Sequence, residues 1–102
     1  QKVITRIEAD LTADQSLNTH ATILNISPSY LSTLFRKETG ITLTEYVNRK
    51  RIEHSILLLN TTNMQIQTIA QHCGISDINY FTRIFKKIIG KTPKEYRNSI
   101  GH

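Results

Sequence analysis

The chain has 102 residues, a formal net charge of +5 and a sequence pI of about 9.6. That length allows one compact domain or two very small cooperating lobes. It excludes a large internal pocket, because a chain this short buries only about two thirds of its unfolded surface. The positive balance favours an anionic partner and is uneven: residues 1–27 carry two bases against three acids, residues 28–102 eleven against five. Cys73 is the single cysteine, which excludes an internal disulfide and suits a reducing, cytoplasmic setting. The longest apolar run, Ile56 to Leu59, is far too short to span a bilayer, and no secretory signal is present. The first residue is Gln1 rather than methionine, so either a piece of a longer protein or a processed start is expected, the former favoured.

Helical spacing recurs along the chain and strand-type alternation does not. Val3 and Ile7 begin a short amphipathic segment, and Leu17, Ala21 and Leu24 form the next apolar stripe, with Ser16 placed to cap it. Ser27-Pro28 reads as an N-cap followed by proline at the first helical position. Leu31, Leu34 and Phe35 then share an inward face until Gly40 ends the helix. Thr42-Leu43-Thr44-Glu45 is a capping-box pattern that opens the longest helix, expected over about 44–59, with Tyr46, Ile52, Ile56 and Leu59 on its buried side. Asn60 to Asn63 reads as a turn, and Ile66, Ile69 and Ala70 restart the pattern before Gly74 interrupts it. Ser76 and Asp77 start another helix with Phe81, Ile84, Phe85 and Ile88 inward, and Gly90 stops it. Thr92-Pro93-Lys94-Glu95 is a second capping box, opening a last helix through about Arg97. The expectation is an all-α fold of about seven helices.

The chain also repeats itself. Tyr30/Tyr80, Phe35/Phe85, Lys37/Lys87, Gly40/Gly90, Thr42/Thr92, Glu45/Glu95 and Tyr46/Tyr96 are identical at an offset of fifty, and Ala21/Ala70, Ile26/Ile75 and Ser27/Ser76 at forty-nine. One extra residue therefore sits at the start of the second copy's helix. In each copy a small alanine lets two helices cross closely, an isoleucine plugs the turn between them, and serine caps the second helix. That unit is a helix-turn-helix, and two copies in register are a much stronger signal than one.

Three stretches, ISPSYLSTLFRKETG (26–40), EYVNRKRIEHSILLL (45–59) and IQTIAQHCGISDINYFTRIFKKIIGKTPKEYR (66–97), resemble the DNA-binding domain of the AraC family of bacterial transcription regulators. The resemblance covers almost the whole chain and is weakest before Leu17. Ser55, Ile75 and His20 depart from the family's usual alanine, phenylalanine and apolar residue at these positions, all packing variations. The resemblance implies two helix-turn-helix lobes, about 1–43 and 60–102, joined by the helix at about 44–59, with both second helices entering successive major grooves of double-stranded DNA. A helix of about sixteen residues is roughly 24 Å long, and with the lobe radii added it can hold two reading helices about one DNA turn, ~34 Å, apart. The resemblance favours an activator over a repressor, in the C-terminal part of its parent. It is compatible with a contact to RNA polymerase and with dimerisation through a domain outside this chain.

Helical phase leaves Ser29, Ser32, Thr33 and Arg36 outward on the first reading helix, and Ile78, Asn79, Thr82, Arg83 and Lys86 outward on the second. Ser29, Ser32 and Thr33 both donate and accept, so they discriminate bases poorly. Arg83 can bond guanine O6 and N7, Asn79 can pair with adenine N6 and N7, and Ile78 can pack on a thymine methyl. The second lobe is therefore expected to carry the sharper base readout, with the first relying on backbone and shape. Arg36, Lys37, Lys86 and Lys87 are the leading phosphate contacts. Arg49, Lys50, Lys91 and Arg97 are second-tier candidates, and the helix N-termini near Ser27, Thr42, Ser76 and Thr92 can add N–H groups.

Two other classes fit less well. An enzyme would need a catalytic constellation, yet His20, His54, His72 and His102 are scattered, with no Walker loop and no zinc helix. Cys73 beside His72 is a poor metal site and reads as structural. No cofactor is expected. A protein-interaction module should expose apolar residues, whereas the outward positions are mostly Ser, Thr, Asn, Arg and Lys. Membrane-surface binding needs a broad apolar face turned to lipid, and the apolar side of the long helix is needed to join the lobes.

Overall fold

The computed structural model describes residues 2–100 and places seven helices among them, with no strand. They are α1 (Lys2–Ala9), α2 (Leu17–Leu24), α3 (Pro28–Thr39), α4 (Leu43–Thr61), α5 (Ile66–His72), α6 (Ile78–Ile89) and α7 (Pro93–Ser99). The chain divides into two compact units, one up to Asn48 and one from Arg49 onward, so the division falls within α4. Gln1 and His102 lie outside the described residues.

The first unit closes around Val3 and Ile7 of α1, Ala21 of α2, Leu31 and Phe35 of α3, and Leu43 and Val47 of α4. Ala21 is buried where α2 meets α3, and its small side chain permits their close approach. Ser16 caps α2 through Thr19 N, and Ser27 caps α3 through Tyr30 N with Pro28 in the first turn. Tyr46 packs edge-on against Phe35, with ring centroids 5.6 Å apart.

The second unit is built from Ile52 and Leu59 of α4, Ile69 and Ala70 of α5, Cys73 and Ile75 of the turn, and Phe81, Ile84 and Phe85 of α6. Phe85 lies between Phe81 and Tyr96, at 5.8 and 5.9 Å. Ser55 is fully buried inside this unit, and its hydroxyl donates to the Ile52 carbonyl at 2.7 Å. That bond satisfies a polar atom where alanine would need none. Thr92 and Glu95 form the reciprocal capping box at the start of α7.

The repeat is carried into backbone geometry. Ile26 N–H bonds the Ala21 carbonyl at 3.0 Å, and Ile75 N–H bonds the Ala70 carbonyl at 2.9 Å. The turn residue just before each isoleucine is left-handed: Asn25 at φ 57° and Gly74 at φ 89°. Ser27 follows Ile26 and caps α3 directly. In the second copy Ser76 is the inserted residue, and the cap is Asp77, whose carboxylate accepts from Asn79 N and Tyr80 N at 2.9 and 3.3 Å. The expected Ser76 cap is thus displaced by one position, and the stronger acceptor takes the role. Gly40 and Gly90 then end α3 and α6 alike, at φ 82° and 92°, each N–H bonding a carbonyl four residues back at 2.8 Å.

Several sequence expectations shift. α4 runs to Thr61 rather than Leu59: the Thr62 N–H still bonds the Leu58 carbonyl at 3.0 Å, and the Thr61 and Thr62 hydroxyls donate to the Leu57 and Leu58 carbonyls. α7 continues to Ser99. Leu34 and Ile56 are half-buried, and Ile88, expected inward, is 39 % exposed. Ile88 lies in the last turn of α6, beyond the layer that Phe81, Ile84 and Phe85 fill, so helical phase alone does not bury it.

Candidate nucleic-acid interface

In each unit the second helix of the helix-turn-helix has a buried apolar side and a polar outer side. On α3, burial of Leu31 and Phe35 leaves Ser29, Ser32, Thr33, Arg36 and Lys37 exposed. On α6, burial of Phe81, Ile84 and Phe85 leaves Asn79, Arg83, Lys86 and Lys87 exposed, with Thr82 half-buried beside them. The outward assignments therefore hold for all of these except Thr82, which is part-covered.

Ile78 is a correction. It was expected to face outward, but it is half-buried and packs against the core of the second unit. As the first residue after the Asp77 cap, its side chain lies over the turn and gains more by covering apolar surface than by facing water. A thymine-methyl contact is left only the part of Ile78 that stays exposed.

Arg97 is a second correction. Instead of standing free for a phosphate, its guanidinium is half-buried and donates to the carbonyls of Met64 and Thr62, from Nη1 and Nη2. It thereby ties α7 to the segment between α4 and α5, and Tyr96 adds a hydroxyl bond to Asn60 at 3.2 Å. Planar, multi-donor arginine suits this carbonyl clamp. Lys50 is half-buried and pairs with Glu53 at 3.4 Å, while Arg49 and Lys91 are exposed.

The helix N-termini also differ from expectation as anion sites. At α6 the Asp77 carboxylate already occupies two N–H groups and places a negative charge where a phosphate would approach. At α7 the Glu95 carboxylate bonds Thr92 N at 2.9 Å, which holds the Glu95 carboxyl below its usual range, aided by Lys86 and Lys91. The α3 terminus is capped by a neutral serine and so carries no such charge.

Sequence reasoning missed a difference between two identical residues. Tyr30, on α3, is 57 % exposed. Tyr80, its repeat partner on α6, is half-buried against the core, and the Arg83 guanidinium lies over its ring at 5.3 Å from the centroid. The signal was present in the spacing: Tyr80 has arginine three residues on, and Tyr30 has Thr33.

Two titratable groups, Cys73 and His20, are buried. Cys73 is fully buried, and burial pushes its thiol up to about 11, so it stays protonated and unreactive. His20 is 3 % exposed, with Nε2 2.6 Å from Gln15 Oε1. Gln15 Nε2 donates to the Asp10 carbonyl at 2.7 Å, so the Gln15 oxygen is the acceptor and His20 Nε2 carries the proton. Nδ1 is buried without a hydrogen-bond partner. Burial, then Arg6, hold this imidazole below the ordinary histidine range, with Asp14 opposing. Among the described residues no group of three or more His, Cys, Asp or Glu is arranged to hold a metal ion, and no helix is long and apolar enough to cross a membrane.

Comparison with known proteins agrees with this geometry. The helix-turn-helix domain family matches residues 20–99. The arabinose operon regulatory protein of Escherichia coli is 44 % identical over 72 residues, covering 71 % of this chain and 25 % of the relative. The transcriptional activator RhaR of Escherichia coli is 33 % identical over 97 residues, covering 95 % of this chain and 34 % of the relative. The chain thus spans a quarter to a third of the length of these regulators. Among solved structures, the C-terminal domain of AraT, a response regulator from Geobacillus stearothermophilus, superposes with a TM-score of 0.92 at 32 % identity, covering 96 % of this chain and 82 % of that one. These relatives are transcription regulators rather than enzymes. With two helix-turn-helix units in register and a family match across most of its length, the chain belongs to the AraC family of DNA-binding domains.

Proposed function

We propose that this domain binds duplex DNA sequence-specifically, α3 and α6 each entering a major-groove segment, the two segments about 10 bp apart. The observation that carries the reading is the outer side of α6: Asn79 and Arg83 exposed, Lys86 and Lys87 exposed beyond them, and a fully buried phenylalanine side opposite. Such a helix presents groups suited to base edges and to phosphates, on a body that cannot rotate without exposing its core. Arg83 pairs with guanine and Asn79 with adenine, while Thr82 contributes a weaker contact. On α3, Ser29, Ser32 and Thr33 face the bases with little discrimination. Arg36, Lys37, Lys86 and Lys87 bind phosphates.

Activation is favoured over repression, since RhaR is named an activator. A contact with RNA polymerase and dimerisation through a domain outside this chain both fit that role, in a cytoplasmic regulator. The test is selection of binders from a random duplex library at about 150 mM salt, where nonspecific phosphate binding is already weakened. Two short boxes about 10 bp apart are expected. One box would limit base reading to a single unit. Binding that follows salt without enriching any sequence would contradict the proposal.

A further inference from the structure

We infer that Tyr80 is a positioning residue for Arg83: its ring is a fixed shelf that holds the guanidinium extended before DNA arrives. The inference rests on the proposed base-reading role of Arg83. Three observations carry it. The guanidinium lies 5.3 Å from the ring centroid, inside the range in which a cation is attracted to an aromatic face. The shelf is anchored, because Tyr80 is half-buried and packs against the core cluster of the second unit, whereas Arg83 itself is exposed. The first copy lacks the arrangement: Tyr30 is 57 % exposed and Thr33 supplies no cation at the matching position.

The physical consequence concerns entropy. An exposed arginine samples many rotamers, and a bidentate base contact requires one narrow set of them. Attraction to an anchored ring, about 0.5–1 kcal/mol at an exposed site, biases the unbound arginine toward the held rotamers, so less freedom is lost on binding. A cation–π contact uses the charge of the guanidinium and not its hydrogen-bonding capacity, so the N–H donors stay available to guanine O6 and N7. Tyr80 therefore sharpens readout at one base pair without itself having to touch that pair.

The test compares Tyr80→Leu, Tyr80→Phe, Arg83→Ala and the Tyr80→Leu/Arg83→Ala pair by fluorescence anisotropy. The probes are the selected duplex and the same duplex changed at the Arg83-dependent pair. Thermal unfolding checks each variant for folding. Tyr80→Leu keeps apolar bulk but removes the ring face, and should weaken the selected duplex about two- to fivefold, with little effect on the changed duplex. The loss should vanish in the Arg83→Ala background, and Tyr80→Phe should retain most of the affinity. In the free protein, Tyr80→Leu should also abolish the upfield ring-current shift of the Arg83 δ-protons seen by NMR, and Tyr80→Phe should keep it. Equal weakening of both duplexes, persistence of the loss without Arg83, failure of Tyr80→Phe to rescue, or absence of the ring-current shift would each overturn the inference. If Arg83→Ala leaves base preference unchanged, the base-reading assignment is itself wrong. If Arg83→Ala relaxes one position and Tyr80→Leu does not, that assignment stands and only the positioning role fails.

Discussion

Helices α3 and α6 are two copies of one design. Each has twelve residues, a polar N-cap, and a left-handed glycine at its end whose N–H bonds back at the same distance. Their inner sides differ modestly: Leu31 and Phe35 are buried on α3, and Phe81, Ile84 and Phe85 on α6. Their outer sides differ in kind. Short hydroxyl residues occupy α3, and α6 carries asparagine and an arginine whose guanidinium lies over a tyrosine ring. What is shared is what folding requires of the repeat. What diverges is free of packing constraint, and there the two units can take on unequal shares of recognition.

The largest expected effects test whether each unit rests on its own core. Phe85→Ala should destabilise the second unit by about 3–5 kcal/mol, the usual cost of truncating a buried phenylalanine, and Phe35→Ala should do the same in the first. Amide hydrogen exchange should locate the loss of protection in α5–α7 for Phe85→Ala and in α1–α3 for Phe35→Ala. Uniform loss over all helices in both variants would contradict a two-core description.

Smaller effects probe the outer sides. Arg83→Ala should cost about 1–3 kcal/mol of binding and relax one base position. Ser32→Ala on α3 should cost well under 1 kcal/mol, since its hydroxyl carries little discrimination. Equal losses in a duplex titration would remove the asymmetry. Lys87→Ala should weaken all duplexes alike and reduce the slope of log K against log salt by about one unit. An effect of Lys87→Ala confined to one sequence would make it a base contact.

The smallest effect separates the units by pH. His20 sits buried in the first unit with its folded-state pKa depressed, so the unfolded chain binds a proton more readily than the folded one. Stability of the first unit should be full above the unfolded value of about 6.5 and decline as pH falls toward the lower folded value. The Asp10 and Asp14 carboxyls are also depressed, but below the ordinary value of 3.8, so their contribution is lost only in stronger acid. Thermal unfolding from about pH 7 to about pH 5, spanning the ordinary histidine value, should show the decline, and His20→Gln should flatten it. An unchanged pH profile in His20→Gln would place the acid sensitivity elsewhere.

Much of the fold was legible because periodicity and caps are local. Ser16, Ser27, Thr42 and Thr92 stand where the sequence places them, and the two glycines end their helices as expected. Misplacements arose where a side chain's direction depends on a tertiary neighbour. Arg97 turns inward because two carbonyls between α4 and α5 lack helix partners nearby and its donors reach them. Ile78 packs against the core of the second unit, and Ile88 overshoots the core layer. Asp77 outcompetes Ser76 as cap because a carboxylate accepts two N–H groups at once. The outer residues of α3 and α6 were readable by subtraction, and the Tyr80–Arg83 pair was legible as i,i+3 proximity, but the placement of the guanidinium over the ring was not, since rotamer choice is left to the packing beneath.

The central claim is that the second unit carries the sharper base readout. Its most direct test is the relative affinity of every single-base variant of the selected duplex, measured by sequencing for the wild-type domain and for Arg83→Ala. The account predicts larger penalties in the box bound by α6, with one position of that box losing its preference in Arg83→Ala and the other box unchanged. Equal penalties in both boxes, or a preference lost from the box bound by α3, would contradict it.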